Sequence, residues 1–302
     1  MNIAIVGAGG FVGQNLIKHL VKNTTHSIIA ITLHPDKIRQ QNDRLKVVGC
    51  DVFDGDKLTE SLMGCTAAVY LIHQMQQKGD WVAKEAQATN IFCLAAKKAK
   101  VGRAVYLSGL GGDTQKLSKH LKSRHLCGQI LKDNLPVVIE LRASIIIGRG
   151  SASYDLVNDL SSKLRVMILP AWAKTLVQPI ALHDVMQYIT AALKTPQKSE
   201  IIEIGGPKVL TYKDLLKTNA QFRGNKLFII KLAFLPKWPA KYLLSMYTKK
   251  HSRVVNNMIE SLQSDMIVTN KLAKTYFGNI RPMSLGEAFK KATKPILGEP
   301  RI

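Results

Sequence analysis

Three glycines near the start of the chain have the spacing to hold a phosphate. Gly7-Ala8-Gly9-Gly10-Phe11-Val12-Gly13 follows the apolar run Ile3–Val6 and opens a helical pattern. The glycines that matter fall at 7, 10 and 13. A strand running through a glycine turn into a helix is the context in which such a motif carries chemistry. Gly7 permits the tight turn, Gly10 lets a pyrophosphate approach the backbone, and Gly13 lets the helix lie close on the strand. The first helical residues, among them Phe11 and Val12, then offer free N–H groups and the positive end of the helix dipole to the phosphates. The ligand expected of such a turn is a nicotinamide dinucleotide.

The second strand bears on which dinucleotide. An acidic residue closing it, about 20 residues past the motif, would hold the 2′-hydroxyl of NAD. Here the strand closes on Thr32-Leu33-His34-Pro35, and Asp36 comes late, where after Pro35 it starts the next helix. His34, Lys37 and Arg39 suit the 2′-phosphate of NADP, although Lys37 and Arg39 also read as solvated side chains. NADP is therefore expected, with NAD kept open. Asp51 and Val52 follow the third strand, where Asp51 either accepts from an adenine amino group or caps a helix.

The elements that would position these residues alternate. Strands are expected at Ile3–Val6, Ile28–Thr32, Leu45–Val48, Ala67–Leu71, Ala104–Leu107, Val137–Leu141 and Ile201–Ile204. Helices are expected at Phe11–Lys22, Asp56–Met63, Asp80–Lys100 and Leu117–Lys132, then at Ser153–Leu164, His183–Leu193, Tyr212–Phe222, Ala240–Thr248, Val254–Gln263 and Ser284–Thr293. Apolar strands without polar alternation, separated by helices, imply an α/β fold: a doubly wound parallel sheet of Rossmann type, buried on both faces. Regularity breaks after Gly150. The expected organisation is a dinucleotide domain over 1–206, with substrate-lobe insertions after 150, and a small basic C-terminal α+β lobe over 207–302.

Composition excludes several classes. The 302 residues are 46% hydrophobic and 21% charged, so a large core is expected rather than disorder. Cys50, Cys65, Cys93 and Cys127 are isolated, and the eight histidines form no ligand-spaced group, so no metal is expected. No stretch is apolar enough for a spanning helix, and no leader is read before the first strand. The formal net charge is +22, and residues 207–302 hold 18 basic and 5 acidic side chains. Such a surface attracts polyanions. Without an Arg-rich tail or an aromatic RNA-reading pattern, no nucleic acid is expected. Leu227–Ile230, Leu232–Leu235, Trp238, Tyr242 and Tyr247 are interleaved with lysines. No acid stands between Asp214 and Glu260. This pattern suits either the boundary of an anionic membrane or an ordinary core segment with solvated edges. A cytoplasmic protein is expected, able to lie peripherally on the inner membrane surface.

Several segments together resemble the extended and atypical branch of the short-chain dehydrogenase/reductase superfamily, and within it the NmrA-like NAD(P)-binding proteins. They are Gly7–Gly13, Gly49–Val52, Tyr70–Met75, Tyr106–Gly111, Leu141–Gly148 and Val177–Ile180. The resemblance runs to about Gly206 and thins beyond. It implies a substrate-polarising Ser108. The family's Tyr-x-x-x-Lys is missing, since no tyrosine here has a lysine four residues later. His120 and Arg124 stand at the matching place and share a helix face. The resemblance then implies His120 as proton donor and Arg124 on the cofactor ribose, or else a surface pair in a protein without this chemistry. Leu71 and His73, at the end of the fourth strand, line the cofactor cleft by the same comparison, and Asn90 stands near the active site. Two functions are implied. One is a reductase or dehydrogenase moving a hydride between NADP(H) and a small carbonyl or quinone-like acceptor. The other is a non-catalytic redox sensor or assembly protein that holds the dinucleotide.

Overall fold

Apolar strand segments and amphipathic helices alternate as far as Ala143 in the computed structural model, which describes residues 1–73, 79–111, 117–169, 174–231 and 264–293. In chain order these are β1 (Asn2–Val6), α1 (Phe11–Asn23), β2 (Ser27–Thr32), β3 (Leu45–Gly49), α2 (Gly55–Leu62), β4 (Ala67–Tyr70), α3 (Trp81–Lys98), β5 (Arg103–Gly109), α4 (Lys119–Asn134) and β6 (Val138–Ala143). There follow β7 (Ile146–Ile147), α5 (Ala152–Lys163), β8 (Val166–Leu169), β9 (Leu176–Val177), β10 (Ile180–Ala181), α6 (Leu182–Ala192), β11 (Glu200–Ile204), β12 (Leu210–Thr211), α7 (Tyr212–Phe222), β13 (Phe228–Lys231), α8 (Leu272–Tyr276) and α9 (Leu285–Thr293).

Seven strands form one sheet in the order β11-β6-β5-β4-β1-β2-β3. Every pairing in it is parallel. The order reverses between β1 and β4, and in such sheets ligands bind in the crevice at that reversal, beyond the carboxyl ends of the strands. One face of the sheet packs on α1 and α6 through Leu16, Ile17, Leu20, Val185 and Ile189. The other packs on α2, α3 and α4 through Leu58, Leu62, Phe92, Cys93, Cys127 and Leu131. The doubly wound sheet expected from the sequence is thus present. The four cysteines are free, buried and part of the core on this second face.

A second core, which includes Ile145, Tyr154, Leu160, Val177, Leu215, Leu216 and Phe289, lies in the smaller lobe. It draws residues from both sides of Gly206, and the stretch from Leu272 to Ile280 packs back on the first core. The two parts interleave rather than divide at Gly206. Three two-stranded pairings in this lobe, β7 with β10, β9 with β12 and β8 with β13, have no counterpart in the sequence reading. The helices expected at Ala240–Thr248 and Val254–Gln263 lie outside the described residues.

Candidate functional site

The glycine turn sits at the reversal of the sheet. Gly7 has φ +90°, and a Cβ there would come within 3.0 Å of the Leu71 backbone at the end of β4. The chain therefore needs glycine both for conformation and for room. A Cβ on Gly13 would stand 2.6 Å from the Ala8 carbonyl oxygen, so this glycine allows α1 to close on the turn. Gly10 differs: a Cβ there would meet only the Gly7 oxygen, at 3.3 Å. Its missing side chain leaves space outside the fold, where a phosphate would approach. One glycine was missed: a Cβ on Gly9 would strike Thr32 Oγ1, which also accepts from His34 N at 3.2 Å. The helices α2, α3, α4 and α7 open on Asp54, Asp80, Ser118 and Thr211 side-chain caps. In contrast α1 opens on Gly10, with no side-chain cap and no acid in its first turn. Its first N–H groups are left for a ligand. The Phe11 ring lies against Gly148 and Gly150, and the Val12 side chain is half-buried on the core.

At the end of β2, His34 is exposed, and in place of the helix expected to start at Asp36 the chain makes a 3-10 turn over Pro35–Lys37. Lys18, Lys37 and Arg39 line one shallow cleft with Gln14 and Asp36. After β3, Asp51 Oδ1 accepts from Phe53 N at 3.0 Å, while the helix cap expected of it is made by Asp54 on Lys57 N. Asp51 thus makes a turn. Val52 is buried among the residues beneath α2, and its side chain packs the core.

The ends of β4 and β5 meet α3 and α4 around a buried carboxylate that sequence reasoning missed. Glu85 of α3 is fully buried. Its Oε1 is 2.9 Å from His73 Nδ1 and 3.3 Å from Arg124 Nη1, and its Oε2 accepts from Ser123 Oγ. Burial alone would raise this carboxyl, but the His73 hydrogen bond and the Arg124 charge outweigh it, and the group is held at about 2. An ionised carboxylate only accepts, so His73 donates from Nδ1 and keeps Nε2 as an acceptor. The signal for Glu85 was an acid on the apolar stripe of α3 that also carries Trp81, Ala88 and Phe92. A charge there needs a partner on another element.

Arg124 is buried and committed. Besides Glu85, it donates to the carbonyls of Ile72, at 3.2 Å, and Leu107, and its guanidinium stacks 4.7 Å from the Tyr106 ring. Where a ribose contact was expected of it, Arg124 makes a clamp across the ends of β4 and β5, drawn inward by the buried Glu85 carboxylate. His120 shares this side of α4, and its ring centroid lies 5.1 Å from that of His73. Burial, with His73 and Arg124 nearby, pushes the His120 imidazole down to about 3. Ser108 Oγ and His120 Nδ1 are buried and have no hydrogen-bond partner among the described residues. Leu71 lies behind the glycine turn, half-buried. Asn90 is not part of the site. It is exposed on α3, donates to the Ala86 carbonyl at 3.1 Å, and points away from the stripe that holds Glu85. Gln74 and Met75 lie outside the described residues, and among those described no group of side chains could hold a metal.

Residues 7–144 match the family model described as NAD(P)H-binding. The chain carries an NAD(P)H-binding domain. Among curated proteins it is 24% identical over 204 residues to the mouse mitochondrial NADH dehydrogenase [ubiquinone] 1 alpha subcomplex subunit 9, a match covering 64% of this chain and 53% of that protein. The chain thus spans about half the length of this relative. An Escherichia coli NADPH-dependent quinone oxidoreductase, complexed with NADPH, superposes with a TM-score of 0.75 at 19% identity, over 95% of this chain and 98% of that one. The Bordetella bronchiseptica enzyme WbmG, in complex with NAD, gives 0.71 at 15% identity, over 97% and 92%. Those two show the fold. Family model, relatives and fold are consistent with the atypical short-chain dehydrogenase/reductase resemblance of the sequence.

Proposed function

We propose that the chain is an NADP(H)-dependent reductase or dehydrogenase acting on a small carbonyl or quinone-like acceptor. The observation that carries the reading is the pair of orphaned atoms, Ser108 Oγ and His120 Nδ1. Buried polar groups are almost always paired. Two unpaired ones on adjoining elements, at the same end of the parallel sheet as the glycine turn, point to polar atoms of a ligand. The turn itself fits a dinucleotide, with Gly7, Gly10 and Gly13 and the first N–H groups of α1 on the pyrophosphate, and His34 and Lys37 near a 2′-phosphate. When bound, the dinucleotide supplies a hydride. Ser108 donates a hydrogen bond to the acceptor oxygen. His120 is neutral at rest, and negative charge developing on that oxygen favours its protonated form, so the ring holds the proton the oxygen takes. His73, anchored by Glu85 and partly exposed, connects that ring to solvent. Arg124 holds the ends of β4 and β5 in place. The quinone-like acceptor draws support from the names of the ubiquinone dehydrogenase subunit and the quinone oxidoreductase. NADPH consumption against a panel of carbonyls and quinones tests the reading: turnover that falls in His120→Ala supports it.

The inward Arg124 and the neutral His120 favour a second reading, a protein that holds the dinucleotide without turning it over. It predicts NADPH binding with no oxidation anywhere in that panel. A peripheral contact with an anionic membrane belongs to either reading. Val166 and Phe228, partners across β8 and β13, are 54% and 64% exposed, and Ile230 is 51% exposed. Phe228 and Ile230 belong to the apolar and cationic run that begins at Leu227.

A further inference from the structure

A second cleft, of about 270 Å³, opens between α1, α6 and α9. It shares no lining residue with the glycine turn or with the Ser108–His120 site. Its ionisable lining is cationic: His19 of α1, Arg149 after β7, His183 in the first turn of α6, and Lys291 near the end of α9. Met186 and Ala288 supply apolar wall. The two imidazoles meet edge to face with centroids 6.2 Å apart. Basic side chains from four separate segments therefore converge on one half-enclosed space, and no described carboxylate lines it.

We propose that this cleft binds a phosphate monoester through His19, His183, Arg149 and Lys291. Gathering like charges in a confined space is unfavourable, and a dianion at its centre reverses the sign of that interaction. The two histidines register that crowding. His19 is held below its ordinary value by burial and then by His183. His183 is held below its own by burial and then by Lys291, with Asp184 opposing. Of the acids beside it, Asp184 Oδ2 accepts from Met283 N at 2.8 Å while its charge acts on His183, and Glu287 Oε2 accepts from Ser284 N and Oγ. Asn23 Nδ2 approaches His19 Nδ1 at 3.4 Å and brings no charge. The first turn of α6, at Leu182 and His183, adds the positive end of a helix dipole. Apolar wall beside the cations suits an ester rather than a bare ion. Because protonation and anion binding are reciprocal, a bound dianion must raise both histidines, and affinity must rise as pH falls through their range.

Sulfate is the first probe, since its charge is constant from pH 6 to 8 and any pH dependence then belongs to the protein. The imidazole C–H resonances, assigned with His19→Gln and His183→Gln, are followed with NADPH at saturation. The expected result is a sulfate-dependent rise in both titration midpoints, with affinity weakened about ten-fold or more in Arg149→Gln and in Lys291→Gln. Glycerol 3-phosphate and vesicles of phosphatidic acid then separate a free ester from a lipid headgroup. Shifts of both histidines with either one support the site and name its source. Two results overturn the proposal. One is that His19 and His183 respond to sulfate only as they do to chloride at equal ionic strength. The other is that they respond without NADPH but not with it, which would assign the cleft to the dinucleotide's own phosphates.

Discussion

Gly10 and Gly13 are the same residue type three positions apart, yet they should fail differently. A side chain on Gly13 collides with the Ala8 backbone, at 2.6 Å for Cβ alone. Gly13→Val is therefore expected to destabilise the fold by about 1–3 kcal/mol or more, read as a lowered Tm. Gly10→Val is expected to keep its Tm and lose dinucleotide, because its side chain enters only the space left for phosphate. The glycine motif was legible in the sequence since φ above zero and close approach both demand glycine, and the letters show it. The partners of Ser108 and His120 were not legible. Whether a hydroxyl or an imidazole is satisfied depends on elements far away in the chain. The inward turn of Arg124 was hidden for the same reason, because it answers Glu85, 39 residues earlier. If the protein turns over, His120→Ala should lower kcat by roughly 10²–10⁴-fold and leave dinucleotide affinity nearly unchanged. An unchanged kcat would remove His120 from the chemistry.

At the scale of elements, the contact of α3 with α4 holds the site together through one buried charge. Glu85→Gln leaves Arg124 buried without its counter-ion and is expected to cost about 3–5 kcal/mol in denaturant unfolding. Two groups of this site then contribute to the acid limb of stability, beside His19, His26, His73 and His183, which are also held below their ordinary values. Glu85 is held at about 2 against an ordinary 4.5, and His120 at about 3 against 6.5. Both folded values lie below the unfolded ones, so the unfolded chain binds more protons and stability falls on acidification. The loss begins near pH 6.5 with His120 and is joined near pH 4.5 by Glu85. His120→Gln should lessen the upper part of that loss, and a stability profile flat between pH 6.5 and 5 in the wild type would contradict it. The main strands and helices were legible because buried parallel strands read as unbroken apolar runs, with Gly, Asn-Leu-Pro or capping residues between them. The paired strands of the small lobe were not. Two-residue strands such as β9 and β12 carry no period, and β8 finds β13 across some 60 residues of chain.

Across the whole molecule, the excess of positive charge and the exposed edge of Val166, Phe228 and Ile230 make one prediction. The protein should co-sediment with anionic vesicles and not with neutral ones, and salt should weaken the binding as the screening length shortens. Phe228→Ser with Ile230→Ser should reduce it, and equal absence from both vesicle types at low salt would leave the edge without a membrane role. All of these functions hang on a frame built around the reversal of the sheet, where Gly7 meets the end of β4 and α1 opens uncapped. The most direct test of that frame is calorimetric titration of the folded protein with NADPH and with NADH, beside Gly10→Val. Saturable binding, tighter for NADPH and lost in the variant at unchanged Tm, is the expected result. No heat with either dinucleotide in folded wild-type protein would contradict the account.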